Sequence, residues 1–537
     1  MLRAILDRTA ERLGNELTNQ PSVEADLQSL IGRVYYELGR YDQAEKMQRD
    51  ALRLFSAIFG SESKEVVAPL NDLGLTLWRK GSQAEAEAAD REALMIGRKL
   101  IGEESAEVAT SLNQLADVYR HGGKPVEAES FAQHALAIRQ KSFGKSSLEA
   151  ADSLRVLSIL FGDEGKWAQS EATAREVLEI RRKHFGAEHP LTSMSLVDVA
   201  WAASHQNKLA EVETLQREAL MIKRKLLPEG HPSTTECLRN LCKTLEEEGK
   251  YAEAESLRRE SLQLSMRKAG SEAPETLEAV EALARILMAR REFNEAERLI
   301  NRALTPAVVE QPSSVSLLTL RVDLFARRGK WQEAVTDAAL AFDDKPSDSG
   351  LYAMVAALYL KTGQRAAYEH FCDVLLKSFA QTTNIFIADQ VAKACLFVPR
   401  AELDLHAVAR LADLAALNGT SDKIAMPFFQ DCKAISEYRQ GHYSEAVEWA
   451  KKPLEIPGNY VHGHVYAVLA MAYWQLGDRQ EAQAMLAKGE ILAPSVMPAS
   501  IAEDPSNAWL AWLFARIQLD EATALVRGVK SADATAN

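Results

Sequence analysis

The chain of 537 residues has little cysteine, few motifs of known chemistry and a deficit of basic charge. Its five cysteines, Cys237, Cys242, Cys372, Cys395 and Cys432, are odd in number and none falls in a CxxC pair. They read as small buried apolar side chains in a reducing compartment. Lys and Arg total 63 against 76 Asp and Glu, a formal net charge of -13. Nucleic-acid binders need a cationic surplus facing phosphate, so that balance argues against them and against anionic membrane surfaces. No apolar run approaches the roughly 18 residues needed to span a bilayer. The opening MLRAILDRTAERLGNEL mixes charges with apolar residues and lacks the apolar core and cleavage site of a signal peptide. A soluble, cytoplasmic chain is expected.

Catalytic patterns are missing too. No G-x-x-x-x-G-K-[ST] loop, H-E-x-x-H helix or G-x-S-x-G elbow occurs. The 11 histidines are scattered, and the one tight cluster, His462 and His464, stands at i, i+2, where helical rings diverge. No catalytic residue, cofactor or metal is expected. Yet 47% hydrophobic and 26% charged residues are ordinary for a folded protein.

What is abundant is one phrase. GRYDQAE (39–45), GSQAEAE (81–87), GKPVEAE (123–129), GKWAQSE (165–171), NKLAEVE (207–213), GKYAEAE (249–255) and REFNEAE (291–297) follow one another at steps of 42 residues. Glu ends all seven, at 45, 87, 129, 171, 213, 255 and 297, and a small residue or Val precedes it. Ahead of the phrase, pairs such as Leu70/Leu73, Leu112/Leu115, Leu154/Leu157 and Leu238/Leu241 mark a first helix. The Gly suits a helix C-cap and tight turn. A second apolar-periodic helix follows and stops at Gly60, Gly102, Gly144, Gly186 or Gly270. His189-Pro190, His231-Pro232 and Ala273-Pro274 then open the next first helix, with the histidines as structural hydrogen-bonders. The repeated Glu reads as a solvated or helix-pairing carboxylate rather than an acid/base series.

The period, Gly, small residue and Pro resemble the tetratricopeptide repeat (TPR), and HFGAEHPLTSMSLVDVAW (184–201) resembles the 42-residue form of kinesin light chains. The resemblance implies an all-α fold, an α-α superhelix or solenoid of antiparallel helix pairs. We expect a lead-in at 1–24, seven repeats at 25–304, a joint at 305–314 and irregular pairs at 315–503. A capping helix at 504–529 and a disordered tail at 530–537 complete the expected layout. The same resemblance implies a non-catalytic scaffold whose first helices line a groove for a protein or peptide. The candidate groove residues are Arg33, Tyr36, Asn71, Trp78, Asn113, Arg120, Arg155, Trp201, Arg239 and Lys243. Asn71 and Asn113 fall where kinesin-light-chain-like repeats carry asparagines that grip a peptide backbone. Arg33, Arg155, Arg239 and Lys243 form a basic lining suited to acidic peptides or carboxylate termini.

The stretches at 5–45, 391–399, 434–450, 466–486 and 507–526 also resemble the TPR region of bacterial, planctomycete-type serine/threonine protein kinases. A scaffold in such signalling is the first expectation, and the separated regulatory half of such a kinase is the alternative. The G-x-G-x-x-G, H-R-D and D-F-G elements of a kinase are absent from these residues, so none of that family's catalytic positions carries over.

Overall fold

The structure, a computed structural model, describes residues 6–10, 12, 20–344, 348–419, 422–456, 461–502, 504 and 508–528. The expected tail, 530–537, and most of the lead-in before residue 20 lie outside the described residues. Among the described residues every regular element is helical. Among the described residues, no helix is long and apolar enough to cross a membrane. The chain divides into two compact units, Met1–Lys250 and Tyr251–Asn537.

In the first unit, helices pair in succession: Pro21–Glu37 with Tyr41–Phe59, Val67–Arg79 with Gln83–Leu100, and Ala106–His121 with Pro125–Phe143. Leu148–Asp163 with Trp167–Phe185 and Pro190–Ser204 with Leu209–Leu226 continue the series to Pro232–Glu247. The second unit opens with Tyr251–Ala269 and continues with Pro274–Ala289 and Phe293–Ala303. Beyond the short turns Pro306–Val309 and Pro312–Ser314, pairs resume at Val315–Arg327, Tyr352–Lys361, Ile385–Leu396, Met426–Gln440 and His462–Gln475. Ala508–Arg527 is the last helix among the described residues.

One turn is reused throughout. Backbone φ is positive at Gly39, Gly81, Gly123, Gly165, Asn207, Gly249 and Arg291, and again at Gly329, Gly363, Gly441 and Gly477. The next residue's N–H reaches back five positions, as in Arg40 to Tyr35 O (2.8 Å), Lys166 to Phe161 O (2.8 Å), Glu292 to Leu287 O (2.8 Å) and Asp478 to Tyr473 O (3.0 Å). This is the Schellman closure, whose left-handed residue favours Gly. Helix starts are equally regular. His189 Nδ1 and His231 Nδ1 accept from the N–H of Leu191 and Ser233 (both 3.2 Å), the capping role that Ser105 and Ser147 play in earlier pairs.

The repeated glutamate staples pair to pair. Glu45 accepts from Arg49 on its own helix (2.7 Å) and from Lys80 at the next turn (2.7 Å). Glu213 does the same with Arg217 (2.7 Å) and Lys250 (2.6 Å), and Glu171 with Arg175 (2.6 Å) and Lys208 (2.7 Å). Arg49 goes on to Glu85 (2.6 Å) and Arg259 to Glu295 (2.7 Å), so the outer helices carry a ladder of alternating charge. Lys80 beside Glu45 and Lys250 beside Glu213 hold those carboxyls below their ordinary range. A depressed carboxylate contributes stability above its unfolded pKa, and that contribution is lost as pH falls through the folded value. Glu213→Ala should therefore cost about 1–2 kcal/mol at pH 7 for two lost pairs, less in 1 M salt and little below about pH 4. Thermal melts of the two proteins across pH would check it; an equal gap at pH 3 would refute the ion-pair account.

The five cysteines are all buried, as small apolar side chains would be. Buried side chains cluster between the helices of each unit. Ala508–Arg527 packs on the final pair, through Trp512 Nε1 to Pro494 O (2.9 Å) and Arg516 Nη1 to Ala493 O (3.0 Å). It is more than a lid on that pair. Trp509 Nε1 donates to Asp323 (2.7 Å), Gln518 Nε2 to Phe397 O (3.1 Å), and Glu521 accepts from Arg439 (2.6 Å). Asp323 and Arg439 lie in the C-terminal halves of first helices, and Phe397 just beyond the end of another. The closing helix thus lies across the first-helix face of the second unit.

Candidate functional site

In the first unit the same face is built by the C-terminal halves of the first helices. Along it, charges pair between neighbouring repeats. Arg33 stands 3.9 Å from Asp72. Arg120 donates to Asp163 (2.9 Å), and Arg155 Nε donates to Asp198 (2.7 Å). Arg79 Nε donates to the Tyr36 hydroxyl (3.0 Å). Of the expected basic lining, Arg33 and Arg155 thereby face aspartates, while Arg239 and Lys243 remain exposed. Burial pushes the Asp72 carboxyl up to about 6, against the pull of Arg33. Burial also raises Asp117, opposed by Arg120 and Arg155.

Aromatic rings occupy the intervals. Trp78 lies 5.4 Å from His121, with the Arg79 guanidinium 4.7 Å from the Trp78 ring. Trp201 meets Trp167 edge-on at 5.3 Å, and His205 stacks on Trp167 at 3.8 Å. Trp201 remains 36% exposed. Gly162 makes this possible: a Cβ there would sit 2.2 Å from the Trp201 ring. Rings with exposed faces beside half-buried charged pairs suit stacking and hydrogen bonding to a chain laid across them.

The asparagines go elsewhere. Asn71, 4% exposed, donates to Glu107 O (3.3 Å) and accepts from Ser111 Oγ (2.7 Å), so it joins one pair to the next. Asn113 is 8% exposed. Both are withdrawn from solvent, whereas Arg155, at the same register, reaches Asp198. Arg239 and Lys243 are exposed on Pro232–Glu247, with Lys243 at 3.8 Å from Glu247. Tyr36, Trp78 and Arg120 recur at one position of the 42-residue step, Arg155 stands at the position of Asn71 and Asn113, and Trp201 at a third.

Asp72, His121, Asp163, Asp198 and His205 escaped the sequence reading. A signal for some existed: Tyr36 and Arg79, Arg120 and Asp163, Arg155 and Asp198 each stand 43 residues apart, one more than the repeat. Complementary residues at that offset meet across neighbouring pairs. Among the described residues, no group of three His, Cys, Asp or Glu is placed to hold a metal ion.

Family models described as tetratricopeptide repeat match residues 23–99, 107–183 and 161–225, then 281–349 and 463–488, together more than half of the chain. No curated protein matches. Solved structures that resemble it include a protein from Podosopora anserina described as a kinesin light chain with nearly identical TPR-like repeats. That structure is 24% identical, with a TM-score of 0.35, over 37% of this chain and 95% of its own. BtubC (BKLC) from P. vanneervenii is 18% identical over 43% of this chain and 92% of its own, with a TM-score of 0.38. The apo form of RapI is 15% identical over 52% of this chain and 97% of its own, with a TM-score of 0.36.

Proposed function

Because this chain belongs to the tetratricopeptide-repeat family, we propose that it is a non-catalytic scaffold whose first unit holds a protein or peptide across its first helices. One observation carries the reading. In the second unit the corresponding face already accepts a helix, Ala508–Arg527, through buried aromatics and charged hydrogen bonds at helix ends. A surface built in this way therefore binds amphipathic chain, and the aromatic and paired-charge face around Trp78, Arg120 and Trp201 offers the same chemistry. The pairing of Arg33, Arg120 and Arg155 with aspartates favours a partner of mixed charge over a strongly acidic one.

The finer form of the proposal is that 25–304 holds seven kinesin-light-chain-like repeats of 42 residues. It is supported by positive φ at 39, 81, 123, 165, 207, 249 and 291. The serine/threonine-kinase setting suggested by the sequence at 5–45 and 434–526 belongs to the same proposal. The scaffold would present substrates or partners to such a kinase.

Panning a random peptide display library on the full chain tests the binding reading. Selected peptides should lose tenfold or more in affinity on Trp78→Ala/Trp201→Ala, the scale of truncating one or two aromatic anchors. They should be indifferent to Met221→Ala, an exposed methionine on an outer helix. Equal loss on both variants, or loss on neither, would remove this face as the binding site.

A further inference from the structure

Between the closing helix and the first helices of the second unit lies a cavity of about 430 Å³. Phe386, Phe428 and Phe514 form much of its wall, and Lys393, Asp431 and His464 supply charge. The volume lies in the range of small-molecule sites, and a mostly apolar lining with few convergent polar groups is their usual composition. Charged side chains are seldom buried this deeply without a partner. His464 is 4% exposed, Asp431 2% and Lys393 5%.

These groups are arranged with one valence open. His464 Nδ1 lies 2.6 Å from Asp431 Oδ1. An ionised carboxylate only accepts, so the proton of this contact sits on Nδ1, and Nε2 is the ring's remaining hydrogen-bonding position. That Nε2 is buried and has no hydrogen-bond partner among the described residues. Lys393 is answered by Asp389, 3.2 Å away on its own helix, and lies 5.6 Å from the Phe428 ring. Asp389 answers Lys393, which leaves Asp431 and His464 with one ring nitrogen unpartnered at a cavity lined by the three phenyl rings. A buried acceptor without a donor costs free energy, and aromatic faces attract cations.

We propose that this cavity binds a small amphipathic amine, its apolar or aromatic body among the three phenyl rings and its ammonium donating to His464 Nε2 beside Asp431. The site is separate from the partner-binding face of the first unit, and its test stands or falls independently of that reading. His462 takes no part: its ring turns away to Pro453 O (3.2 Å).

The probes are 2-phenylethylamine, its neutral isostere 2-phenylethanol and its anionic isostere 3-phenylpropionate, titrated into the full chain by calorimetry and saturation-transfer NMR at pH 7. The amine should bind at least tenfold more tightly than the carboxylate, with the alcohol between them. His464→Asn keeps a donor toward Asp431 and removes the Nε2 acceptor, and should lose tenfold or more of the amine affinity. Phe514→Trp fills the cavity from the closing helix and should abolish binding, which covers the case where His464→Asn fails to fold. Preference for the carboxylate, no binding of the amine, or amine binding unchanged in a folded variant would each overturn the proposal.

Discussion

Between pH 4 and pH 7, Asp90→Asn should gain on the wild type by about 4 kcal/mol in the stability of the first unit. Asp90 lies on the outer helix Gln83–Leu100, is 0% exposed, and neither carboxyl oxygen finds a hydrogen-bond partner among the described residues. Burial, aided by the Asp117 charge, pushes its pKa from 3.8 up to about 8. The folded state therefore holds a proton that the unfolded chain gives up, and stability declines by about 1.4 kcal/mol per pH unit across that window. The contribution is intact below about pH 4 and is lost progressively toward pH 8. Asparagine has nearly the same shape and no proton to lose. Urea titrations of both proteins at several pH values read the effect as a difference, which cancels every other titrating group. A gap that is flat between pH 4 and 8 would mean that Asp90 is solvated or paired.

The same site shows what sequence could convey about packing. A Cβ on Gly74 would stand 2.1 Å from Asp90 Oδ1, so the first helix carries glycine where its partner carries a larger side chain. Gly32 faces Gln48 in the same way, whereas the corresponding residues after one further repeat are Ala116 and Ala132. The period made such positions countable. It did not reveal that size is traded across the pair, because that requires knowing which residues of two helices touch. Turns and caps were legible for the opposite reason. Gly39 or His189 acts within six residues of itself, and local backbone chemistry leaves a local signature. On the first helices the sequence named Trp78 and Trp201 but not His121 and His205, whose rings lie beside them. At Asn71 the candidate peptide contact falls on a side chain that already bonds Ser111. The closing helix was the least legible element, since contacts such as Trp509 with Asp323 span 186 residues and no pattern encodes the partner.

That long contact should also be the costliest to remove. Trp509 is 1% exposed, donates to Asp323, and lies 6.2 Å from Trp331, which in turn stacks on Trp512. Trp509→Ala should cost about 3–5 kcal/mol through lost burial and the cavity left behind. Close approach of the helix depends on neighbours with no side chain to move: a Cβ on Gly489 would meet Leu519 at 2.6 Å, and one on Gly463 would meet Ala515 at 3.0 Å. With Trp509 gone, the helix should release from the ends of the first helices before the pairs themselves melt, because repeat arrays lose structure locally. Hydrogen exchange resolves this. Amides in 508–527 should lose protection first, then those of 315–327, which share Asp323. Peptides from 67–185 should exchange at the wild-type rate. Trp509→Phe separates the two causes, since it keeps a ring and deletes the donor, and should cost about 1–2 kcal/mol. If the alanine variant instead exchanges faster uniformly over both units, the array melts as one body and the closing helix has no separate role. If it exchanges like wild type, the helix is held by Gln518, Glu521 and Arg516 alone. The first outcome would remove the local-release account and the second the weight given to Trp509, whereas stepwise loss would identify the closing helix as a ligand the chain supplies to itself.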